Sequence, residues 1–278
     1  MTLQTNQMVP VLMYHHVSPE PGGVTVSPVV FEEQMAYLAK AGYQALAAAE
    51  FQSFLAGQYK PAARSILITF DDGYLDNGVY AFPILERLGL RAVIFAVTGW
   101  IGDGATRLQP GNADQSHPPR VWSHRDCKAA ILAGNTDGIM LRWSEMEQME
   151  ASGVVEFHSH THRHTRWDLD HRNAGERDAL VEEDLRLSRD TLRSRLGKSS
   201  EHLAWPWGHA EPSYGTLAAR VGFKVLYTTR RGVNSAGGSA QEVPRIATKN
   251  QGKHWLSSVL WIYRHSLPGR IYSWWENR

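Results

Sequence analysis

The chain lacks most of the features that would assign it quickly. It has one cysteine, Cys127, so no intrachain disulfide framework supports it. Neither sign of charge dominates: 29 Lys and Arg against 28 Asp and Glu leave a net charge of +1, so no strongly basic surface is indicated and nucleic acid is not an expected partner. No segment has the roughly 18 continuous apolar residues that a membrane-spanning helix needs. The first eight residues show no basic stretch followed by an apolar run, so no signal peptide is read there. The expected location is therefore the cytoplasm or the cytoplasmic face of a membrane. Gly-x-Ser-x-Gly is absent, which argues against a serine esterase of that type. Gly-x-Gly-x-x-Gly and phosphate-loop patterns are absent too, so no nucleotide cofactor is implied. What is left is a chain of ordinary composition, long enough to bury a core without disulfides.

The most informative segment is Ser65-Ile66-Leu67-Ile68-Thr69-Phe70-Asp71-Asp72-Gly73-Tyr74. A short apolar run with β-branched and aromatic residues reads as a buried strand, and it ends in two adjacent carboxylates and a glycine. Similar short strands are expected at 9–14, 91–97, 154–157, 203–205 and 224–228. Helices are expected from Ser27-Pro28, with Phe31, Met35, Leu38 and Ala39 on one face, to a stop at Gly42, and at 76–88, with Pro83 as a potential kink. Further helices are expected at 141–152, at 173–196 with Leu180, Leu185 and Leu192 inward, and at 214–221. Residues 99–138, rich in Gly, Pro, Asn and Asp, read as a long and partly irregular insertion. Strands alternating with helices point to an α/β protein with a parallel sheet. Polar residues gather just after the strands, where α/β barrels carry their active sites.

Two carboxylates at a strand end are costly to bury unless something compensates them. Downstream, Phe157-His158-Ser159-His160-Thr161-His162-Arg163-His164 offers four histidines. His160/His164 and His158/His162 are both spaced i, i+4, so on a helical turn either pair could face one ion, with Asp72 or Asp71 adding an oxygen. Three protein ligands leave a position open for water, as in catalytic sites. The spare aspartate could take the water's proton. His15, at the end of the first strand, suits a general acid, although the pattern alone slightly favours a satisfied core histidine. Trp205-Pro206-Trp207-Gly208 is a third strand-end turn, with a backbone N–H able to bind an oxyanion and rings able to stack on a sugar. Cys127, beside Asp126 and Lys128, has no strand-end context and reads as incidental.

Together these segments resemble the polysaccharide deacetylases of carbohydrate esterase family four, the nodulation-type deacetylase domain. Thr69-Phe70-Asp71-Asp72-Gly73 matches that family's first motif. The histidine segment, entered through Glu156, is similar to its second. Ala204-Trp205-Pro206-Trp207-Gly208 lacks the usual arginine of the third motif and looks more like the form found in deacetylases of β-1,6-linked N-acetylglucosamine polymers. Leu12-Met13-Tyr14-His15-His16-Val17, residues 31–43 and Val243-Pro244-Arg245-Ile246 resemble that same branch. The likeness spans roughly 9–248, with 104–138 unmatched, and the late Asp-Trp and Leu-x-His motifs of other members are not found.

The resemblance implies one distorted (β/α) barrel of about seven strands, as a single catalytic domain over residues 1–278. It implies Asp71 as base and His15 as acid, with His16 a secondary candidate. It implies Asp72, His160 and His164 as ligands of one divalent metal ion, zinc first and cobalt or nickel next, with His158/His162 the competing register. The Trp207 N–H would then bind the oxyanion. The expected reaction is removal of an N-acetyl group from an N-acetylated glycan, releasing acetate. Rival readings are an N-deformylase or amidase acting on another amide, and a carbohydrate-binding scaffold without turnover. The insertion carries Trp100, Arg107, His117, Arg120, Trp122 and Arg125, which would add cationic and aromatic contacts if it borders the cleft. The extension 253–278 combines Trp255, Trp261, Trp274, Trp275, Tyr263 and Tyr272 with Lys253, Arg264, Arg270 and Arg278. That mixture suits peripheral contact with a membrane, though a helix packed on the barrel would also account for it.

Overall fold

The computed structural model describes residues 7–108, 119–169 and 173–277; His117 and Arg278 lie outside them. β1 (Val11–Tyr14) leads through a small ladder, β2 (His16–Val17) on β3 (Thr25–Val26), into α1 (Pro28–Lys40). β4 (Gln44–Ala45) and α2 (Ala48–Leu55) precede β5 (Ser65–Asp72). Then come α3 (Phe82–Leu88), β6 (Ala92–Ala96), α4 (His124–Leu132), α5 (Trp143–Ala151) and β7 (Val155–Ser159). The chain ends with α6 (Ala174–Leu196), β8 (His202–Ala204), α7 (Tyr214–Val221), β9 (Val225–Tyr227), β10 (Ile246–Ala247), α8 (Lys253–Tyr263) and α9 (Ser266–Glu276).

The sheet order is β10-β1-β5-β6-β7-β8-β9, with β4 adding two residues beside the start of β5. Every ladder in it is parallel, so each successive pair needs a crossover, and the intervening helices supply it. The sheet curls until its edges nearly meet. Ile246 pairs with Leu12 on one edge, while Val243 bridges Tyr227 on the other. Residues 243–247 thus close a distorted (β/α) barrel, the fold class expected.

All eight residues of β5 are buried, because helices cover one face and the barrel interior the other. Alternation then sorts its side chains. Ile66, Ile68 and Phe70 join the layer beneath the helices, with Phe31, Met35 and Leu38 of α1. Leu67 faces inward with Val11, Val93, Phe95 and Tyr227. Thr69 and Asp71 continue that inward row, which carries Asp71 into the barrel.

Several expected elements need correction. The sequence reading passes straight from α1 to β5 and misses β4 and α2. Phe51, Phe54 and Leu55 do show helical spacing, but over only eight residues. Residues 77–81 form a π-helical turn, and the α-helix starts at Phe82, so Pro83 sits in its first turn and does not kink it. The insertion contains the regular helix α4, capped by the Ser123 hydroxyl. Along α6 the inward positions are Val181, Leu185 and Leu192, with Leu180 only half-buried.

Candidate active site

The described site residues lie at or beyond the C-terminal ends of the strands. β5 ends in Asp71 and Asp72. Asp72 has φ 76°, a left-handed backbone that swings its carboxylate out of the inward row. Residue His160 follows β7 directly, while His15 follows β1. Residues 160–164 are not helical: Thr161 and His164 have φ of 67° and 56°, so the i, i+4 spacing brings its pair together through a loop. Trp207, at φ 61°, completes the set. Among the described residues, all four left-handed non-glycine positions therefore fall within the three motif segments, and such strain survives only where surrounding structure over-determines it. The turn at 206–208 also needs Gly208: its φ is 68°, and a Cβ there would sit 2.1 Å from the Thr229 hydroxyl.

Asp72, His160 and His164 bring one ligand atom each within 4.8 Å of one another, the single such group among the described residues. Both imidazole Nε2 atoms are 3.5 Å from Asp72 Oδ1, a buried oxygen with no hydrogen-bond partner. His160 Nδ1 donates to the Ala204 carbonyl at 2.7 Å, which leaves a lone pair on Nε2 of the neutral ring. That lone pair faces a carboxylate oxygen that can only accept. Two acceptors opposed at this range repel unless a cation stands between them, so these residues fit a divalent ion. Burial raises the Asp72 carboxyl, but His164 and His160 more than offset it and hold it low. Burial also pulls His164 down to about 4, keeping the imidazole neutral and available as a ligand.

The other two histidines face elsewhere. His158 is still part of β7 and points into the barrel, its ring 4.7 Å from that of His202, its Nδ1 3.0 Å from the Ser200 hydroxyl. His162 Nδ1 is 2.9 Å from the Thr98 hydroxyl. The structure thus groups the His160/His164 register with Asp72 and separates the competing one.

Asp71 is gripped by a group to which sequence reasoning assigned no role. Arg245, with no exposed surface, donates to Asp71 Oδ1 at 2.6 Å and Oδ2 at 2.8 Å, and to the Thr228 carbonyl at 3.0 Å. Burial alone would raise the Asp71 carboxyl; Arg245 and His160 reverse this and hold it far below the usual carboxylate range. The third motif lacks an arginine, and the guanidinium comes from the barrel-closing segment instead. An arginine inside Val-Pro-Arg-Ile was the available signal, since a cation among apolar neighbours needs a partner.

His15 Nε2 lies 4.0 Å from Asp71 Oδ2, with the side chain 23% exposed. Burial lowers its pKa, opposed by Asp71 and Asp72. The backbone around it is pinned from below. Asn77 donates to the His15 carbonyl at 2.7 Å, while Asp76 accepts from the Val17 N–H at 3.2 Å. Asp76 also meets His16 Nδ1 at 2.6 Å, and His16 stacks on Tyr74. His16 is fully buried in this network, a supporting position rather than a place in the cleft.

The insertion does border the cleft, through α4. His124 Nδ1 approaches His16 Nε2 at 3.1 Å, and Lys128 Nζ sits 5.7 Å from the ring centroid of Trp207. The Trp207 ring is 54% exposed and 5.6 Å from that of His164. Trp100 flanks His164 at 5.0 Å. Arg107 is occupied elsewhere, in a bidentate pair with the buried Glu145. Arg125 pairs with Asp126, and Arg120 lies over Trp122. Cys127 is buried, and desolvation pushes its thiol up to about 12, which fits an incidental role.

The sequence profile of the polysaccharide deacetylases matches residues 58–226, more than half of the chain. The chain belongs to the polysaccharide deacetylase family. A poly-β-1,6-N-acetyl-D-glucosamine N-deacetylase of Escherichia coli K12 is 21% identical over 286 residues, covering 94% of this chain and 39% of that protein. YxkH of Bacillus subtilis 168, provisionally named a polysaccharide deacetylase, is 40% identical over 94 residues, 34% of this chain and 33% of its own length. The chain therefore matches under half the length of these two relatives. The structure of IcaB from Ammonifex degensii superposes with a TM-score of 0.69 at 24% identity, covering 91% of this chain and 96% of that one, a likeness of fold.

Proposed function

We propose that residues 1–278 act as one catalytic unit, a metal-dependent deacetylase that hydrolyses the N-acetyl group of an N-acetylated glycan to acetate and a free amine. The observation that carries this reading is the orphaned Asp72 Oδ1 facing two Nε2 atoms at 3.5 Å, beside an aspartate that Arg245 keeps ionised. Asp72, His160 and His164 would hold the ion, zinc before cobalt or nickel. When bound, a divalent ion supplies Lewis-acid polarisation of the acetamide carbonyl and a water of lowered pKa.

The chain's own groups divide the remaining work. Asp71 accepts a proton from the attacking water; Arg245 occupies one lone pair on each oxygen and leaves others free. The Trp207 N–H donates to the carbonyl oxygen as it gains charge. His15 gives a proton to the nitrogen as the C–N bond breaks, so the glycan leaves as a neutral amine. Trp207 and Trp100 offer apolar faces to a sugar ring, with Lys128 at the lip. The substrate class proposed is an N-acetylated glycan of N-acetylglucosamine type, whether polysaccharide, oligosaccharide or lipid-linked; the Escherichia coli relative is named for a polymer, poly-β-1,6-N-acetyl-D-glucosamine. Action in the cytoplasm or at its membrane face is proposed with it.

The test is acetate and free-amine release from β-1,4- and β-1,6-linked N-acetylglucosamine oligomers by zinc- or cobalt-loaded protein, with bound metal measured by elemental analysis. Asp71→Asn should lose turnover and keep metal. Asp72→Ala, His160→Ala and His164→Ala should lose metal, while His158→Ala and His162→Ala keep it. Formate release from N-formyl substrates without acetate release would favour the deformylase, and sugar binding without turnover the scaffold.

A further inference from the structure

Helix α9 is inside out. Leu267, Ile271, Trp274 and Trp275 fall at i, i+4, i+7 and i+8, one apolar stripe that would ordinarily face the core. Here they are 70%, 61%, 59% and 70% exposed. The opposite face goes inward instead: Ser273 is buried, its hydroxyl donating to the Gly269 carbonyl at 2.6 Å, and a Cβ on Gly269 would lie 2.4 Å from Val233. Tyr272 packs edge-on against Tyr263 of α8 with ring centroids 6.0 Å apart. The helix is thus anchored by its small and polar side while its large apolar side meets solvent. Trp261 of α8, 60% exposed, is a further such residue.

Arginines lie close by. From residue 253 to 277 the only acid in the sequence is Glu276, against Arg264 and Arg270, while Lys253 is paired with Glu33 of α1 at 3.7 Å. Beside Trp261 lies a groove of about 600 Å³ whose lining includes Tyr37, Tyr43, Arg64, Trp261, Ile262 and Arg264, with no carboxylate among its described residues. Arg264 bonds there to the Ala63 carbonyl at 2.9 Å, and Arg64 to the Ala41 carbonyl, so backbone oxygens and not acids take these cations. The far end of α9 is pinned to the loop after β9, through Asn277 Nδ2 and the Arg231 carbonyl at 2.8 Å. The neighbouring Arg230 carbonyl accepts from the N–H of Arg245, which holds Asp71.

We propose that this face docks on a lipid bilayer carrying anionic headgroups, with the α9 stripe and Trp261 in the interfacial layer and the Arg64–Arg264 groove toward headgroup phosphate. An exposed apolar stripe with tryptophans, with arginines on its own helix and in the adjoining groove, has the composition of an interfacial helix. A symmetric dimer through the same face would oppose two basic surfaces, so a second copy is the poorer occupant. The inference rests on the surface and does not depend on the reaction proposed above.

The experiment is co-sedimentation of the full chain with phosphatidylcholine vesicles, with and without phosphatidylglycerol. Binding is expected to the anionic vesicles and to be weakened about tenfold or more by Leu267→Ser/Ile271→Ser/Trp275→Ser, with the unfolding midpoint kept as a check on folding. Arg64→Gln/Arg264→Gln should reduce the preference for anionic lipid while leaving weak binding. No sedimentation with either vesicle, or undiminished binding by the folded triple variant, would overturn the proposal. So would a wild-type dimer that the triple variant converts to monomer, since a second copy would then cover the face.

Discussion

Asp71 and Arg245 form a buried ion pair in which each partner exists at the other's expense. Removing one leaves an uncompensated charge, which typically costs about 3–5 kcal/mol. Arg245→Met should therefore lower the urea midpoint sharply, and adding Asp71→Asn should recover part of that loss. Equal midpoints for the single and double variants would deny the coupling. Around His15, the proposed acid, Asn77 and Asp76 hold the peptide groups on either side. Asn77→Ala should cut turnover more than it changes substrate affinity, because it loosens the His15 backbone without touching substrate. A pure rise in KM would instead place Asn77 in binding. Asp71, Asp72 and His15 were legible because they end strands. Arg245 was not, since its partner lies more than 170 residues away and only closure of the barrel joins them.

Among elements, the inward faces of β7, β8 and β9 carry a row of buried polar side chains, His158, His202 and Tyr227. His202 Nδ1 is 3.0 Å from the Tyr227 hydroxyl. Burial holds His202 well below its ordinary value, with His158 adding to the effect. The unfolded chain then binds more protons than the native one below about pH 6.5, so stability is full above that pH and is lost as pH falls toward the folded value. Urea midpoints at pH 7.5 and 5.5 should differ, and His202→Gln should narrow the difference; an unchanged difference would assign the effect to other groups. At this scale the strands and long helices were readable from apolar runs and caps. Helix α2 was missed because two turns leave little periodicity, and α4 because its flanks are rich in loop-forming residues.

For the whole molecule, the three proposed ligands, Asp72, His160 and His164, come from two strand ends and a loop, so they converge only when the barrel is folded. Metal should then bind the native chain in preference to the unfolded one and raise its thermal midpoint. At a hundredfold excess over Kd the gain would be about 2.7 kcal/mol, less whatever the unfolded histidines bind. Differential scanning calorimetry with chelator and with added zinc should show the shift in the wild type and none in Asp72→Ala. A shift of the same size in both would place the ion elsewhere.

The sequence by itself determined the alternating strands and helices, the positions of the acids and histidines at strand ends, and the family likeness they carry. These follow from local patterning, where the period of the apolar residues and the caps act within a few residues of each other. Tertiary structure alone decided which histidine pair meets Asp72. His158 is the last inward residue of β7, and the left-handed turns at Thr161 and His164 bend the chain back over the barrel. It also decided that Arg245 would neutralise Asp71, that α4 would border the cleft, and that α9 would turn its apolar stripe outward. Each depends on segments far apart in the chain, brought together by closure of the sheet, and spacing along the sequence carries no information about that distance.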